Sequence, residues 1–186
     1  PSVTATWTGT APCRSPRTLT AMPLDPSEPP PVGPPPSIRR VRVVEHDTRW
    51  PRDAAARAAE IMAAIRPHAP LAGAEIHHIG STAVPGLPAK PILDLLLAVP
   101  GSDGLEALDR PGPRRSLGDL GFRPHGEHGV TGRRFFTRAE PASGDRTHHL
   151  HAFAADSHGA ARHLAFRDYL RAHPAVATTY GVLKQS

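Results

Sequence analysis

The stretch IHHIGSTAVPGLPAKPILDLLLAV, residues 76–99, decides how the rest of the chain is read. Glu75 to Ile79 alternates in polarity and predicts a short strand. Gly80 and Ser81 follow at once, and a loop carrying Pro85, Gly86 and Pro88 leads away from them. Residues 91–99 then run almost wholly apolar, as a strand buried on both faces does. Asp94 interrupts that run. A carboxylate inside a buried strand is costly unless a cation or a hydrogen-bond donor meets it. Two accounts of Asp94 follow: a structural salt bridge or cap, or a metal or proton role at the end of a central strand. The Gly-Ser turn favours the second. Glycine lets the backbone approach a ligand closely, and successive free N–H groups in such a turn form an anion nest. Lys90 adds a positive charge between turn and acid. The reading is a phosphate on the turn and a divalent ion on Asp94.

The stretch resembles the signature of the GrpB family, a group of small proteins placed in the nucleotidyltransferase superfamily. That superfamily has a Gly-Ser or Gly-Gly turn, a gap of about a dozen residues, and an Asp-apolar-Asp strand. Here Gly80-Ser81 precedes Asp94-Leu95-Leu96 by twelve residues. Asp94 matches the first carboxylate. Leu96 stands at the second position and cannot bind a metal, which departs from two-metal chemistry, where each ion takes several oxygen ligands. Residues 147–153, Thr-His-His-Leu-His-Ala-Phe, and residues 166–171, Phe-Arg-Asp-Tyr-Leu-Arg, resemble further GrpB motifs. The likeness spans residues 38–186.

The expected fold is α/β (α+β): a nucleotidyltransferase-like mixed β-sheet flanked by helices, with helices at the C-terminal end. The resemblance implies that Gly80, Ser81, Thr82, Lys90 and Arg134 hold a nucleoside triphosphate. It also implies that Asp94, with His149 and His151, binds Mg²⁺ or Mn²⁺, with Asp94 the catalytic carboxylate. A nucleotidyl group would pass to an unknown acceptor. The other implied reading is a non-catalytic nucleotide- or coenzyme A-related binding module, because GrpB-like domains occur fused to dephospho-CoA kinase.

Outside the signature, residues 1–37 read as a proline-rich tail; eleven of the 23 prolines fall in the first 36 positions. Little apolar material there can be buried. Met22 is a candidate true start, and Cys13, the single cysteine, excludes an internal disulfide and is unsuited to a nucleophile's role in such a tail. Residues 38–45, with Val41, Val43 and Val44, read as a first strand. Pro51 opens a helix that stops before Pro67, with Ala54, Ala58, Ile61, Met62 and Ile65 on one face. Trp50 reads as a packing anchor. Two short helical pieces, residues 105–108 and 117–120, are expected to be separated by Pro111-Gly112-Pro113, with Gly121 closing the second. Residues 126–132 read as a mobile loop rich in glycine and histidine.

Residues 133–138 and 147–153 predict an antiparallel hairpin. On its second strand His149 and His151 share one face, while His148 and Leu150 share the other. Asp156 and Ser157 can cap a helix to about His173, with Leu164, Ala165, Tyr169 and Leu170 inward and Phe166 to one side. Arg167 either reaches a phosphate or pairs with a nearby acid. Pro174 starts a final helix with Val176, Tyr180 and Leu183 inward.

The formal charge of +5 is compatible with nucleotides and acidic metabolites. No basic stripe with interleaved aromatics indicates nucleic acid, so a nucleotide or small phosphorylated metabolite is the expected partner. No apolar run reaches the ~18 residues of a membrane span, and a cytoplasmic location is expected. P-loop, Rossmann, paired CxxC and Gly-x-Ser-x-Gly patterns are absent.

Overall fold

The computed structural model describes residues 42–185. The proline-rich tail, Cys13 and Met22 lie outside the described residues. Five strands form one mixed sheet: β1 (Glu75–Ile79), β2 (Leu93–Val99), β3 (Arg123–Pro124), β4 (Arg134–Ala139) and β5 (Arg146–Ala154). Their spatial order is β1-β2-β5-β4-β3. The apolar β2 and the histidine-bearing β5 lie side by side within the sheet and pair in parallel. The outer pairs, β1 with β2, β4 with β5 and β3 with β4, are antiparallel. The hairpin expected at residues 133–153 is therefore present.

Alternation along β2 and β5 sends side chains to two different cores. Leu93, Leu95, Leu97 and Val99 of β2, with Leu150 and Ala152 of β5, enter a large cluster. It is closed by α1 (Trp50–Ile65), α2 (Gly101–Ala107) and α3 (Pro111–Asp119). Helix α1 presents Ala54, Ile61, Met62 and Ile65 to this cluster, with Trp50 6% exposed at its start. Asp94 and Leu96 point to the opposite face, as do His149, His151 and Phe153. That face is covered by α4 (His158–Ala172), through a smaller cluster of Ile79, Leu96, Phe153 and Ala160. Helix α5 (Pro174–Gln185) packs beside α4, where Val84, Leu87, Leu170 and Ala177 form a third cluster.

Several local expectations are corrected. Of residues 38–45, Val44 makes a single antiparallel bridge to Ala89, no strand extends through residues 42–45, and 38–41 are outside the described residues. Pro111-Gly112-Pro113 does not separate two helices but begins α3, since a proline in the first helical turn loses no hydrogen bond. Gly121 closes α3 as expected: its φ is +83°, and Phe122 N–H donates back to Leu117 O. Residues 126–132 are tied down: Gly132 N–H donates to Glu127 Oε1 at 2.7 Å, and Arg133 donates to the carbonyls of Glu127 and His128.

The C-terminal helices differ most. Ser157 caps α4, accepting from Ala160 N–H. Tyr169, Val176 and Leu183, expected inward, are 52%, 41% and 69% exposed. Leu164 and Leu170 face inward as expected, and the closest approaches are made by small residues. A Cβ at Gly159 would stand 2.4 Å from the Phe153 ring, and one at Gly181 would stand 3.2 Å from Pro88. The two helices lie so close to sheet and loop that bulk is excluded at the contact. Among the described residues no helix is long and apolar enough to cross a membrane.

Leu96 is fully buried between Ile79, Phe153 and Ala160. Leu96→Asp, which would place a second carboxylate two residues after Asp94 on the same face, should lower stability by several kcal/mol, because it buries a charge beside Asp94 in a mainly apolar cluster with His151 as its one close polar neighbour on β5. Urea denaturation of the variant beside the parent measures this. A variant as stable as the parent would show that the cluster admits charge.

Candidate functional site

The antiparallel register of β1 and β2 sets Ile79 opposite Asp94. The next residue, Gly80, is therefore carried against the acid. Its backbone, φ +72° and ψ −169°, is a conformation open in practice to glycine alone. A Cβ there would stand 2.6 Å from Asp94 Oδ2, so the absent side chain is what gives the carboxylate its place. Residues Ser81–Ala83 then form one 3-10 turn.

The parallel register of β2 and β5 sets His149 beside Asp94 and His151 beside Leu96. His149 Nδ1 is 2.9 Å from Asp94 Oδ1, and His151 Nε2 is 3.7 Å from the same oxygen. One ligand atom from each of the three residues lies within 4.8 Å of the others. Burial is the largest influence on Asp94 and opposes its ionisation. The hydrogen bond from His149 and the nearby His151 imidazole outweigh it and hold the carboxyl down at about 2. Phe135 of β4 lies under both imidazoles, with ring centroids 5.4 Å from His149 and 5.1 Å from His151.

A groove of about 420 Å³ opens over this cluster. Its lining includes Gly80, Ser81, Asp94 and His151 from the sheet side, and Arg162, His163, Phe166 and Tyr180 from α4 and α5. Phe166 and Tyr180 meet edge to face at 5.7 Å. The His163 ring lies 5.1 Å from His151.

The residues expected at the site from sequence divide into two groups. Gly80, Ser81, Asp94, His149 and His151 converge. Thr82, Lys90 and Arg134 do not join them in the groove. Thr82 is 1% exposed, and its hydroxyl is bonded to His78 Nε2 at 2.9 Å, so it braces the bend from behind. Lys90 is exposed and does not line the groove. Arg134 faces the opposite side of the sheet, where Nε donates to Asp109 Oδ2 at 2.6 Å. Its neighbour Arg133 is the guanidinium near the site, 8% exposed, with Nη1 3.5 Å from His151 Nδ1. Arg167 pairs with Asp168 and also donates to His78 O at 3.2 Å.

Sequence reasoning missed the cations of the C-terminal helices. Arg171 Nε donates to Ala83 O at 2.9 Å, and Lys184 Nζ donates to Ser81 Oγ at 3.0 Å and to Pro88 O at 2.6 Å. Together with Arg167 they fasten residues 78–88 to α4 and α5. Arg162, also missed, is exposed at the groove. These residues lie some 80 to 100 positions from the bend they serve, and no local pattern announces that.

The donor set was tested against a divalent ion. Two imidazole nitrogens and a carboxylate oxygen, mutually close, fit a first-row transition ion better than Mg²⁺, which takes oxygen ligands. His149 Nε2 is buried without a hydrogen-bond partner, so that ring is held through its Nδ1 side alone. Arg133 presents a donor to His151 Nδ1, which places the imidazole proton on Nε2, toward Asp94.

Residues 40–186 match the family model described as GrpB protein. The chain is 43% identical over 110 residues to the UPF0157 protein YqkA of Bacillus subtilis, covering 59% of this chain and 30% of that protein. It is 41% identical over 148 residues to the UPF0157 protein PA4798 of Pseudomonas aeruginosa, covering 79% of this chain and 57% of that protein. It thus spans less than two thirds of either relative. The crystal structure of the conserved protein GrpB from Enterococcus faecalis superposes with a TM-score of 0.66 at 36% identity, covering 77% of this chain and 81% of that one.

Three buried or half-buried histidines on the two faces of the sheet set an acid limit. Burial, aided by Arg171, pushes His78 down from its ordinary 6.5 to about 4, and burial does the same to His148 and His163. The folded chain therefore holds these rings neutral while the unfolded chain protonates them. Their contribution to stability is complete above about pH 6.5 and is lost as pH falls toward 4. The urea midpoint should drop across that window, and His78→Gln, which keeps a partner for Thr82, should show a shallower drop. Parallel curves for parent and variant would remove His78 from the account.

Proposed function

The chain belongs to the GrpB family, and on that footing we propose that its groove binds a nucleoside triphosphate with a divalent metal ion and transfers a nucleotidyl group to an acceptor. The observation that carries this reading is the contact of Asp94 with the Gly80 bend on one side and with His149 and His151 on the other. A carboxylate in that place, ionised down to about pH 2, is an ion ligand set directly beside a close-approach turn. The resemblance of Gly80-Ser81 and Asp94 to the nucleotidyltransferase pattern gives the same pair its phosphate and metal roles.

Asp94, His149 and His151 would hold the ion, and their chemistry favours Mn²⁺ over Mg²⁺. When bound, the ion would supply positive charge against the phosphate oxygens. The chain's own residues do the rest. Gly80 lets the phosphate chain approach the backbone, and Ser81 offers its hydroxyl. Arg162 at the groove and Arg133 behind His151 add fixed charge where a leaving polyphosphate would develop it. Phe166 and Tyr180 offer aromatic surface to a planar base.

A second reading is favoured by Leu96. With that position sealed in an apolar cluster the groove has one carboxylate, which suits a protein that holds a nucleotide or a coenzyme A-related ligand without transferring anything. Product formation separates the two.

Isothermal titration with ATP, CTP, GTP and UTP, each with Mg²⁺ or Mn²⁺, tests both. At least one nucleotide should bind, more tightly with Mn²⁺, and Asp94→Asn should weaken it by at least about tenfold, as loss of a supporting group at a metal site does. Release of pyrophosphate on adding an acceptor supports the transferase, and binding without turnover supports the module. No binding of any nucleotide, or binding indifferent to Asp94→Asn, would overturn the transferase and the nucleotide-holding module, and coenzyme A titrated alongside tests the remaining ligand class.

A further inference from the structure

Helix α5 brings an ammonium group to the bend. Lys184 Nζ donates to Ser81 Oγ at 3.0 Å and to Pro88 O at 2.6 Å, and it sits 4.7 Å from the centre of the Tyr180 ring. Ser81 and Tyr180 both line the groove, and Lys184 stands directly behind them without lining it itself. Among the described residues, every other cation that fastens the bend has a different arrangement. Arg167 is neutralised by Asp168, and Arg171 donates to Ala83 O. Lys184 takes a carbonyl, a hydroxyl and a ring face, none of which carries a negative charge. An ammonium has three donors, and the two hydrogen bonds leave one for a further acceptor.

We propose that Lys184 is an anion-binding residue of this groove, which meets the phosphate chain of a nucleotide at Ser81. The assignment deepens the nucleotide-binding reading and rests on it. Three features argue for it over a plain helix fastening. A fastening needs only the Pro88 carbonyl, whereas Lys184 also reaches the one hydroxyl that the bend offers to the groove. Partial burial, with no carboxylate paired to it among the described residues, pushes the ammonium's pKa down, a cost that a bound anion would reverse. The aromatic pair Phe166 and Tyr180 adjoins the same spot, so a ligand with phosphate at Lys184 has surface for a planar ring beside it.

The arrangement also explains why Lys90 is not needed. It lies on the same loop as the bend but is exposed, whereas Lys184 reaches Ser81 from across the fold. Ser81 thereby joins the two halves of the proposed site, standing between the Asp94 cluster and α5.

The test titrates ATP, pyrophosphate and adenosine, with Mn²⁺ present, into the full chain and into Lys184→Met and Lys184→Arg, with a thermal melt of each. Affinity for ATP and for pyrophosphate should fall by about tenfold or more in Lys184→Met, the scale of a lost hydrogen bond to a charged group. Lys184→Arg should retain most of it, and whatever adenosine binding the parent shows should be unchanged. If the parent binds pyrophosphate through Lys184 but no nucleotide, the anion role stands and the nucleotide reading falls. If Lys184→Met, shown folded by its melt, binds pyrophosphate as the parent does, or if the parent binds no pyrophosphate, Lys184 is a helix fastening and the proposal is overturned.

Discussion

One register governs the site. Because Ile79 faces Asp94 across an antiparallel pair, the residue after Ile79 must pass within touching distance of the carboxylate. Only glycine can do so here, for two independent reasons. The backbone takes φ +72°, and the space a Cβ would fill is occupied by Asp94 itself. A shift of β1 by one residue would turn every side chain to the other face and carry the bend away from the acid. Cations of α4 and α5 secure that arrangement from outside, donating to carbonyls at His78, Ala83 and Pro88. The bend is thus fixed twice, by the glycine its own sequence supplies and by cations that the rest of the fold brings to its carbonyls.

The sheet divides the labour between its faces. The face toward α1, α2 and α3 is apolar and holds most of the core. The other face is half apolar, beneath α4, and half histidine. On that second face the alternation of β2 delivers Asp94 and Leu96, and the alternation of β5 delivers His149, His151 and Phe153. The boundary falls between Asp94 and Leu96. Asp94 is hydrogen-bonded by His149, while Leu96, with His151 alongside on β5, packs into Ile79, Phe153 and Ala160. A carboxylate is thus affordable at the first position and excluded at the second.

What the sequence made legible follows from period and from local turns. The strands around Gly80 and Asp94 were readable because apolar runs and two-residue alternation leave a mark within a few positions. His149 and His151 could be placed on one face by the same parity. Arg134 was misplaced because parity alone does not say which face meets the helices. Phe135 and Phe136 are equally apolar, and the answer turns on Phe135 lying opposite His151. Once Phe135 points to the site, Arg133 lies near it and Arg134 reaches Asp109. The C-terminal helices were misread for a different reason. Large apolar residues were taken to mark the packed face, yet Ala177 and Gly181 make the close contact while Val176 and Leu183 stay exposed. Close approach selects for absence of side chain, and absence leaves a weak signal.

The balance of charge bears on what such a groove can do. Its lining carries one carboxylate, Asp94, against the guanidinium of Arg162, with Arg133 behind His151 and the ammonium of Lys184 behind Ser81. A site built on several carboxylates repels a polyphosphate until metal ions cancel the charge. Among the described residues the fixed cations outnumber the acid here, so in the proposed site attraction for an anion would not wait on metal. The consequence is a division of roles within the proposed site. Ion binding at Asp94, His149 and His151 would set orientation at one phosphate, while the arginines and the lysine supply the bulk of the neutralising charge. Fixed cations, unlike a second metal ion, stay with the protein when product leaves. Leu96 then has a physical reading of its own: where the fold supplies positive charge in side chains, a second acid would cancel it.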